Sequence, residues 1–300
     1  MSALIEKNNI YSKTKGKIKL EIIIGKHAGF CNGVRNVVEK ANEILEKYGP
    51  TYCLGELAHN KNLIEELSKK GLKIIENIEE AKKRIIIRAH GIPKEIYIKL
   101  EEKNIEILDY TCPYVLAIHK IAEEKAKENY FIVLVGVREH PETIGTISFC
   151  GNNSEIVENE EDVEKAIQKF KNSNLEKIFV IAQTTINVKK FNNIIEKIKE
   201  YVKEENVEVK NTICNSTKTR QDETAQIAKE VDAMIIIGGK NSSNTKKLYE
   251  VAKEECPNTY LIENYKELNK EEINKYNKIG IMAGASTPQN VIDDVIKYIQ

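Results

Sequence analysis

The amino-acid sequence predicts an α/β fold of three small units with parallel-rich sheets. Three observations carry that prediction. First, six short apolar runs read as buried parallel strands, over residues 22–25, 84–89, 130–136, 177–182, 233–239 and 278–284. Second, segments of helical period lie between them, such as 34–49 and 192–204, and strand alternating with helix implies parallel sheets with crossover helices. Third, the spacing repeats. Ile74-Ile75-Glu76-Asn77 returns as Ile156-Val157-Glu158-Asn159 and Leu261-Ile262-Glu263-Asn264, with starts 82 and 105 residues apart. Cys31, Cys112 and Cys214 keep nearly the same beat, 81 and 102 residues apart. No Pro/Gly/Ser-rich linker interrupts the chain, so the units are expected to pack tightly.

Composition narrows the function classes. Of 300 residues, 41% are hydrophobic and 31% charged, which suits a globular chain with a sizeable core. The formal net charge is zero, which argues against nucleic acid or an acidic membrane surface as the main partner. No apolar run approaches the roughly 20 residues that cross a bilayer. Residues 1–19 have lysines but no apolar signal core; they read as a flexible or loosely helical N-terminal extension. With six cysteines and no secretory pattern, a reducing, cytoplasmic setting is expected, where thiols serve as metal ligands, nucleophiles or buried hydrophobes.

The candidate site residues share the repeat. Cys31, Cys112 and Cys214 are each expected after the first strand of a unit and just before a helix. Pro113 suits a first helical position, and Ser216 or Thr217 suits an N-cap. Twenty-eight residues beyond each cysteine stand His59, His140 and Ser242, and after a later strand come His90, Thr184 and Ser286. Parallel sheets bind ligands outside the carboxyl ends of their strands. Three such ends aimed at one centre would gather three thiolates, several histidines and several hydroxyls.

A helix N-terminus favours the thiolate form, and thiolates select zinc or iron–sulfur clusters. Three cysteines on a cubane leave one iron open as a Lewis acid. Two other readings use the same thiols: an electron-transfer relay, which would need a fourth cysteine in the repeat, and a structural zinc module. Cys53, Cys150 and Cys256 fall outside the repeat and read as buried hydrophobes, and His27 and His119 as ordinary structural residues. Ser242, Ser243 and Asn244 follow Gly238-Gly239 at a predicted helix start, an arrangement that binds anions. Ser286 precedes Thr287 and Pro288, which read as N-cap and first helical residue of a second such loop. Glu142, two residues beyond His140, is a candidate proton donor if its pocket raises its pKa.

The blocks holding these residues are AGFCNGV around Cys31, GELAHNKNLIEEL around His59, RAHGIP around His90 and DYTCP around Cys112. EHPETIGT, AQTT, CNSTKTRQ, GGKNSSNTKKL and AGASTP follow in order. Over roughly residues 20–298 the sequence resembles the 4-hydroxy-3-methylbut-2-enyl diphosphate reductase family. The resemblance implies a pseudo-threefold trefoil of three α/β domains around a central 4Fe–4S cluster with three cysteine ligands and one open iron. It assigns 33–112 to domain 1, 113–210 to domain 2, and 211–300 with 20–32 to domain 3. Cys31, Cys112 and Cys214 would ligate the cluster. His59, His90, Ser242, Ser243, Asn244 and Ser286 would bind the diphosphate, with His140 and Thr185 nearby. Thr184 and Glu142 would address the substrate hydroxyl, Glu142 relaying the proton. The implied reaction is a reductive dehydroxylation to isopentenyl and dimethylallyl diphosphates, with single electrons supplied by a ferredoxin or flavodoxin.

Overall fold

Each sheet of this protein repeats one strand order, and that order decides where the loops with site residues emerge. The structure is a computed structural model that describes residues 9–15 and 18–300. Strands β1 (Asn9–Lys15) and β2 (Ile18–Ile24) lead to helix α1 (Asn32–Tyr48). There follow β3 (Thr51–Leu54), α2 (Lys61–Lys69), β4 (Leu72–Ile75), β5 (Arg84–Ile87), α3 (Lys94–Glu102) and β6 (Glu106–Asp109). After α4 (Pro113–Lys127) come β7 (Tyr130–Val135), α5 (Pro141–Ile147), β8 (Ser154–Val157), α6 (Asp162–Asn172), β9 (Lys177–Ala182), α7 (Val188–Lys199) and β10 (Val207–Val209). After α8 (Asn215–Ala228) come β11 (Ala233–Ile237), α9 (Ser243–Glu255), β12 (Thr259–Ile262), α10 (Lys270–Ile273), β13 (Lys278–Ala283) and α11 (Gln289–Ile299).

The sheets run β4-β3-β5-β6, β8-β7-β9-β10 and β12-β11-β13-β2-β1. Among the described residues every strand pair is parallel except β1 with β2. In the third sheet β2 takes the fourth place, beside β13, that β6 and β10 hold in the others. The chain forms two compact units: residues through Val34 with His59–Leu63 and Asn215–Gln300, and Arg35–Ala58 with Ile64–Cys214. The first unit holds the third sheet; the second holds the other two.

Helices cover both faces of a sheet, which explains the uninterrupted apolar runs. Along β7, Phe131, Val133 and Val135 face α6 and α7, through Val163, Ile167, Phe191 and Ile194. Ile132 and Leu134 face the other way, toward Ile118 and Ala122 of α4. In the first unit Ile235 and Ile237 pack against α11, whose buried Val291, Ile292, Val295, Ile296 and Ile299 recur at helical spacing. Met234 and Ile236 pack against α8 and α9 on the opposite face.

All six strands expected from apolar runs are present, and the structure adds shorter or more polar ones such as β3, β4 and β10. The repeated tetrapeptide marks the end of the edge strands β4, β8 and β12. Its asparagine caps the next turn twice: Asn77 Oδ1 accepts from Glu79 N at 3.0 Å, and Asn264 Oδ1 from Lys266 N at 3.1 Å. The first sheet crosses from β4 to β5 through only a 3-10 turn, Ile78–Glu80, where the second sheet uses α6. This deletion explains why His90 follows Cys31 more closely than its counterparts follow their cysteines.

Four expectations are corrected. The cysteines follow the fourth strand of each sheet (β6, β10 and β2), not the first. Helix α8 starts at Asn215, so Ser216 and Thr217 lie inside its first turn, where Ser216 Oγ accepts from Arg220. Helix α11 starts at Gln289, and Thr287 spends its hydroxyl on Ile237 O at 3.0 Å instead of capping. Within the N-terminal extension, residues 9–15 form β1, an antiparallel partner for the otherwise open edge of β2. Residues 1–8, 16 and 17 lie outside the described residues.

A glycine follows each of β3, β7 and β11. The N–H groups of Gly55, Gly136 and Gly238 donate to Ile75 O, Val157 O and Ile262 O, one rung past the edge strand each time. Gly238 has φ +153°, and a Cβ there would lie 2.6 Å from Thr245 Oγ1. Gly238→Ala is therefore expected to lower unfolding stability by about 1–3 kcal/mol. Urea unfolding measures this, and a wild-type midpoint would show that the strand end relaxes freely.

Candidate functional site

Two strands in each sheet sit where the chain reverses its winding: β3 and β5, β7 and β9, β11 and β13. Ligands bind parallel sheets at this switch point, outside the carboxyl ends. His59, His140 and Ser242 follow the first strand of each pair, and His90, Thr184, Thr185 and Ser286 follow the second. Each cysteine is tied to the latter loop by one backbone hydrogen bond. Cys112 N donates to Ala89 O (3.0 Å), Cys214 N to Thr184 O (3.0 Å) and Cys31 N to Ala285 O (3.1 Å). Each acceptor lies two residues past its strand. Thr185, rather than Thr184, is therefore the structural counterpart of His90 and Ser286, a one-residue shift from the alignment read by spacing.

In the second unit, a carboxyl is built into the end of the β7–β10 sheet. His140 caps α5, and its Nδ1 accepts from Glu142 N at 3.1 Å. The proton of the neutral ring is thereby placed on Nε2. The His90 ring meets the His140 ring edge-on, with centroids 5.3 Å apart. Pro141 at the first helical position turns Glu142 inward until it is only 2% exposed. Thr184 donates to it twice, from N to Oε1 and from Oγ1 to Oε2, both at 2.6 Å. Burial pushes the Glu142 carboxyl up to about 7, although the two Thr184 bonds pull the other way. Glu142 is a buried acid that can hold or release a proton at neutral pH, not a solvated first-turn glutamate.

Gln183, which the sequence reading did not single out, organises the same loop. Its Oε1 accepts from Val137 N (3.0 Å) and Thr143 Oγ1 (3.2 Å), and its Nε2 donates to Thr185 Oγ1 (2.7 Å). Its place inside the AQTT block, beside two chosen threonines, was the available signal.

In the first unit, two polar loops lie at the ends of β11 and β13. Ser242 caps α9, its Oγ accepting from Thr245 N at 3.3 Å, while Ser243 and Asn244 are buried in the first helical turn. Asn244 Nδ2 is buried without a hydrogen-bond partner, a donor that suits an acceptor-rich ligand. Ser286 Oγ donates to His59 O at 3.3 Å. A Cβ on Gly239 would come within 2.3 Å of His59 O, so glycine permits this close approach.

The six cysteines are all free thiols, and they fall into two classes. Cys53, Cys150 and Cys256 are buried in the core, where desolvation pushes Cys53 and Cys150 up to about 12 and keeps them protonated. Cys31, Cys112 and Cys214 are partly exposed at the starts of α1, α4 and α8. His119 is buried and stacked on Phe149, its pKa lowered to about 4 by desolvation, as a neutral packing residue. His27 faces Glu223 at 3.0 Å.

The sequence pattern of the LytB protein family matches residues 22–300. This chain belongs to the LytB family. Among LytB relatives, the 4-hydroxy-3-methylbut-2-enyl diphosphate reductase of Caldanaerobacter subterraneus is 43% identical over 288 residues, covering 94% of this chain and 97% of its own. The solved structure of (E)-4-hydroxy-3-methyl-but-2-enyl diphosphate reductase, described as the terminal enzyme of the non-mevalonate pathway, superimposes with a TM-score of 0.68 at 43% identity. It covers 93% of this chain and 98% of that one. The E-1-hydroxy-2-methyl-but-2-enyl-4-diphosphate reductase from Plasmodium falciparum superimposes with a TM-score of 0.85 at 30% identity, covering 92% and 86%.

The Glu142 carboxyl is expected to titrate near pH 7 by difference infrared spectroscopy, well above an ordinary glutamate. Thr184→Val removes a donor that stabilises the charged form, so it should move the midpoint higher. A midpoint near 4.5 in the wild type, or a downward move in the variant, would contradict this account.

Proposed function

We propose that this chain catalyses the two-electron, two-proton reductive dehydroxylation of (E)-4-hydroxy-3-methylbut-2-enyl diphosphate to isopentenyl diphosphate and dimethylallyl diphosphate, with loss of water. This is the last step of the non-mevalonate route to isoprenoids. The observation that carries the reading is the Glu142–Thr184 pair, a buried carboxyl able to hold a proton at neutral pH, in a chain whose relatives are named for this reaction. Cys31, Cys112 and Cys214 would hold a 4Fe–4S cluster with one open iron, which supplies single-electron reduction and Lewis-acid affinity for oxygen. What supports it is the contrast between three partly exposed thiols at helix starts and three sealed in the core.

The protein's own groups divide the remaining work. His59, His90, Ser242, Ser243, Asn244 and Ser286 bind the diphosphate, joined by Thr185 and His140. What supports this is chemistry found in each unit by itself: His90 and His140 at the start of α5, and Ser242, Ser243 and Asn244 at the start of α9, where backbone N–H groups and the helix dipole favour anions. Thr184 orients the hydroxyl end of the substrate. Glu142 hands a proton to the departing hydroxyl, which leaves as water, and the second proton ends on allylic carbon. His140 holds Glu142's backbone in register and offers Nε2–H to the substrate.

The same reading divides the chain into residues 33–112, 113–210 and 211–300 with 20–32, after an N-terminal extension, 1–19. Each of these pieces supplies the strands of one sheet, apart from β1 and the start of β2. A ferredoxin or flavodoxin delivers the electrons, and the enzyme works in the cytoplasm. Among the described residues no helix is long and apolar enough to cross a membrane.

Cys112→Ser should lose most of the visible iron–sulfur absorption and the activity of anaerobically purified protein. If both persist, Cys112 is not a ligand. Glu142→Gln should keep the absorption and substrate affinity while kcat falls by about 10²–10⁴-fold, the usual worth of a general acid. In the wild type, kcat should decline above about pH 7 as Glu142 loses its proton. Undiminished turnover in Glu142→Gln would remove Glu142 from the proton path.

A further inference from the structure

We propose that Glu223 and Arg220 of α8 are positioning residues for Cys31, locking the loop that carries this thiol. The proposal rests on the reading of Cys31 as a cluster ligand and adds the device that holds it in place. The loop from Gly25 to Cys31 leaves β2 and enters α1 without regular structure. The other two site cysteines have support close by. Before Cys112, Asp109 Oδ1 accepts from both Thr111 N (2.9 Å) and Thr111 Oγ1 (2.6 Å). Before Cys214, Asn211 Oδ1 accepts from Ile213 N at 3.0 Å. Within residues 25–31 one backbone turn forms, Ala28 N donating to Gly25 O at 3.1 Å, short of Cys31 itself.

Instead, a helix remote in sequence grips this loop at both ends. Glu223 Oε1 accepts from Lys26 N at 2.7 Å, and Oε2 accepts from His27 N at 3.1 Å while facing His27 Nδ1 at 3.0 Å. One turn earlier on the helix, Arg220 Nη2 donates to Gly29 O at 2.9 Å. The same guanidinium is braced by Ser216, donating through Nη1 to Ser216 O at 3.1 Å and to the hydroxyl. Residues three apart on a helix share a face, so the carboxylate and the guanidinium reach the loop together. On the opposite side, Gly29 N and Cys31 N donate to Ala283 O and Ala285 O. A Cβ at Gly25 would lie 2.3 Å from Met282 Sδ and 3.3 Å from the Glu223 carboxylate, so the start of the loop is closely packed.

Charge-assisted bonds of this kind hold a loop more firmly than neutral ones. Helix α8 and the Cys31 loop belong to the same compact unit, so a regular element of that unit clamps the loop. His27 thereby gains a role that the sequence did not reveal: its backbone and ring both serve the Glu223 contact.

The test compares thiol alkylation by iodoacetamide in metal-free wild type, Glu223→Gln and Glu223→Ala, with each cysteine followed by mass spectrometry. Glu223→Ala removes the acceptor of both backbone bonds and should accelerate alkylation of Cys31 by at least about tenfold, the effect of losing one charge-assisted bond on local opening, while Cys112 and Cys214 keep their rates. Glu223→Gln retains one acceptor and should fall between the two. No change at Cys31, or an equal rise at all three thiols in both variants, overturns the proposal. Iron uptake by the wild type tests the cluster reading separately, because the alkylation result is obtained without metal.

Discussion

A single type of backbone hydrogen bond, from each site cysteine's N–H to a carbonyl two residues past the third strand, fixes the chemistry-bearing loops to the sheets. In every sheet it lies beyond the last paired residues of the third and fourth strands. Each thiol is therefore placed by sheet geometry rather than by a free loop. The price of that arrangement is that the fourth strand must be present in every sheet, and the third sheet obtains its own from the far end of the chain, as β2.

The second constraint is desolvation. Glu142 is held inward by a proline-led helix start and, among the described residues, receives two donors, both from Thr184. A carboxylate with more donors, or one facing water, would stay ionised at neutral pH. The buried cysteines show the same force acting without function: Cys53 and Cys150 are sealed away and stay protonated. Burial acts on all three groups, and they differ in chemistry and place: it raises a carboxyl at a sheet end to about 7, and core thiols to about 12.

Much of the fold was legible because parallel strands covered on both faces leave continuous apolar runs, as in 130–136 and 233–239. The strands that escaped, among them β4, β6 and β10, are short or carry charged residues, so their pattern is lost in the background. Helix starts were read less well. Ser216, Thr217 and Thr287 have good capping chemistry, but Arg220 and Ile237 O compete for two of those hydroxyls. The three repeating cysteines each follow the fourth strand of a sheet rather than the first, since period alone carries no origin.

The sequence by itself determined the fold class, the threefold period and the separation of Cys31, Cys112 and Cys214 from the other thiols, because these depend on hydrophobic pattern and spacing along the chain. Only the tertiary structure decided that Thr184 bonds Glu142 while Thr185 aligns with His90 and Ser286. It alone brought Arg220 and Glu223 onto the Cys31 loop, across a separation of 191 to 197 residues. Hydrogen bonds between distant segments depend on where strands end and which way helices face, and neither is written in local periodicity.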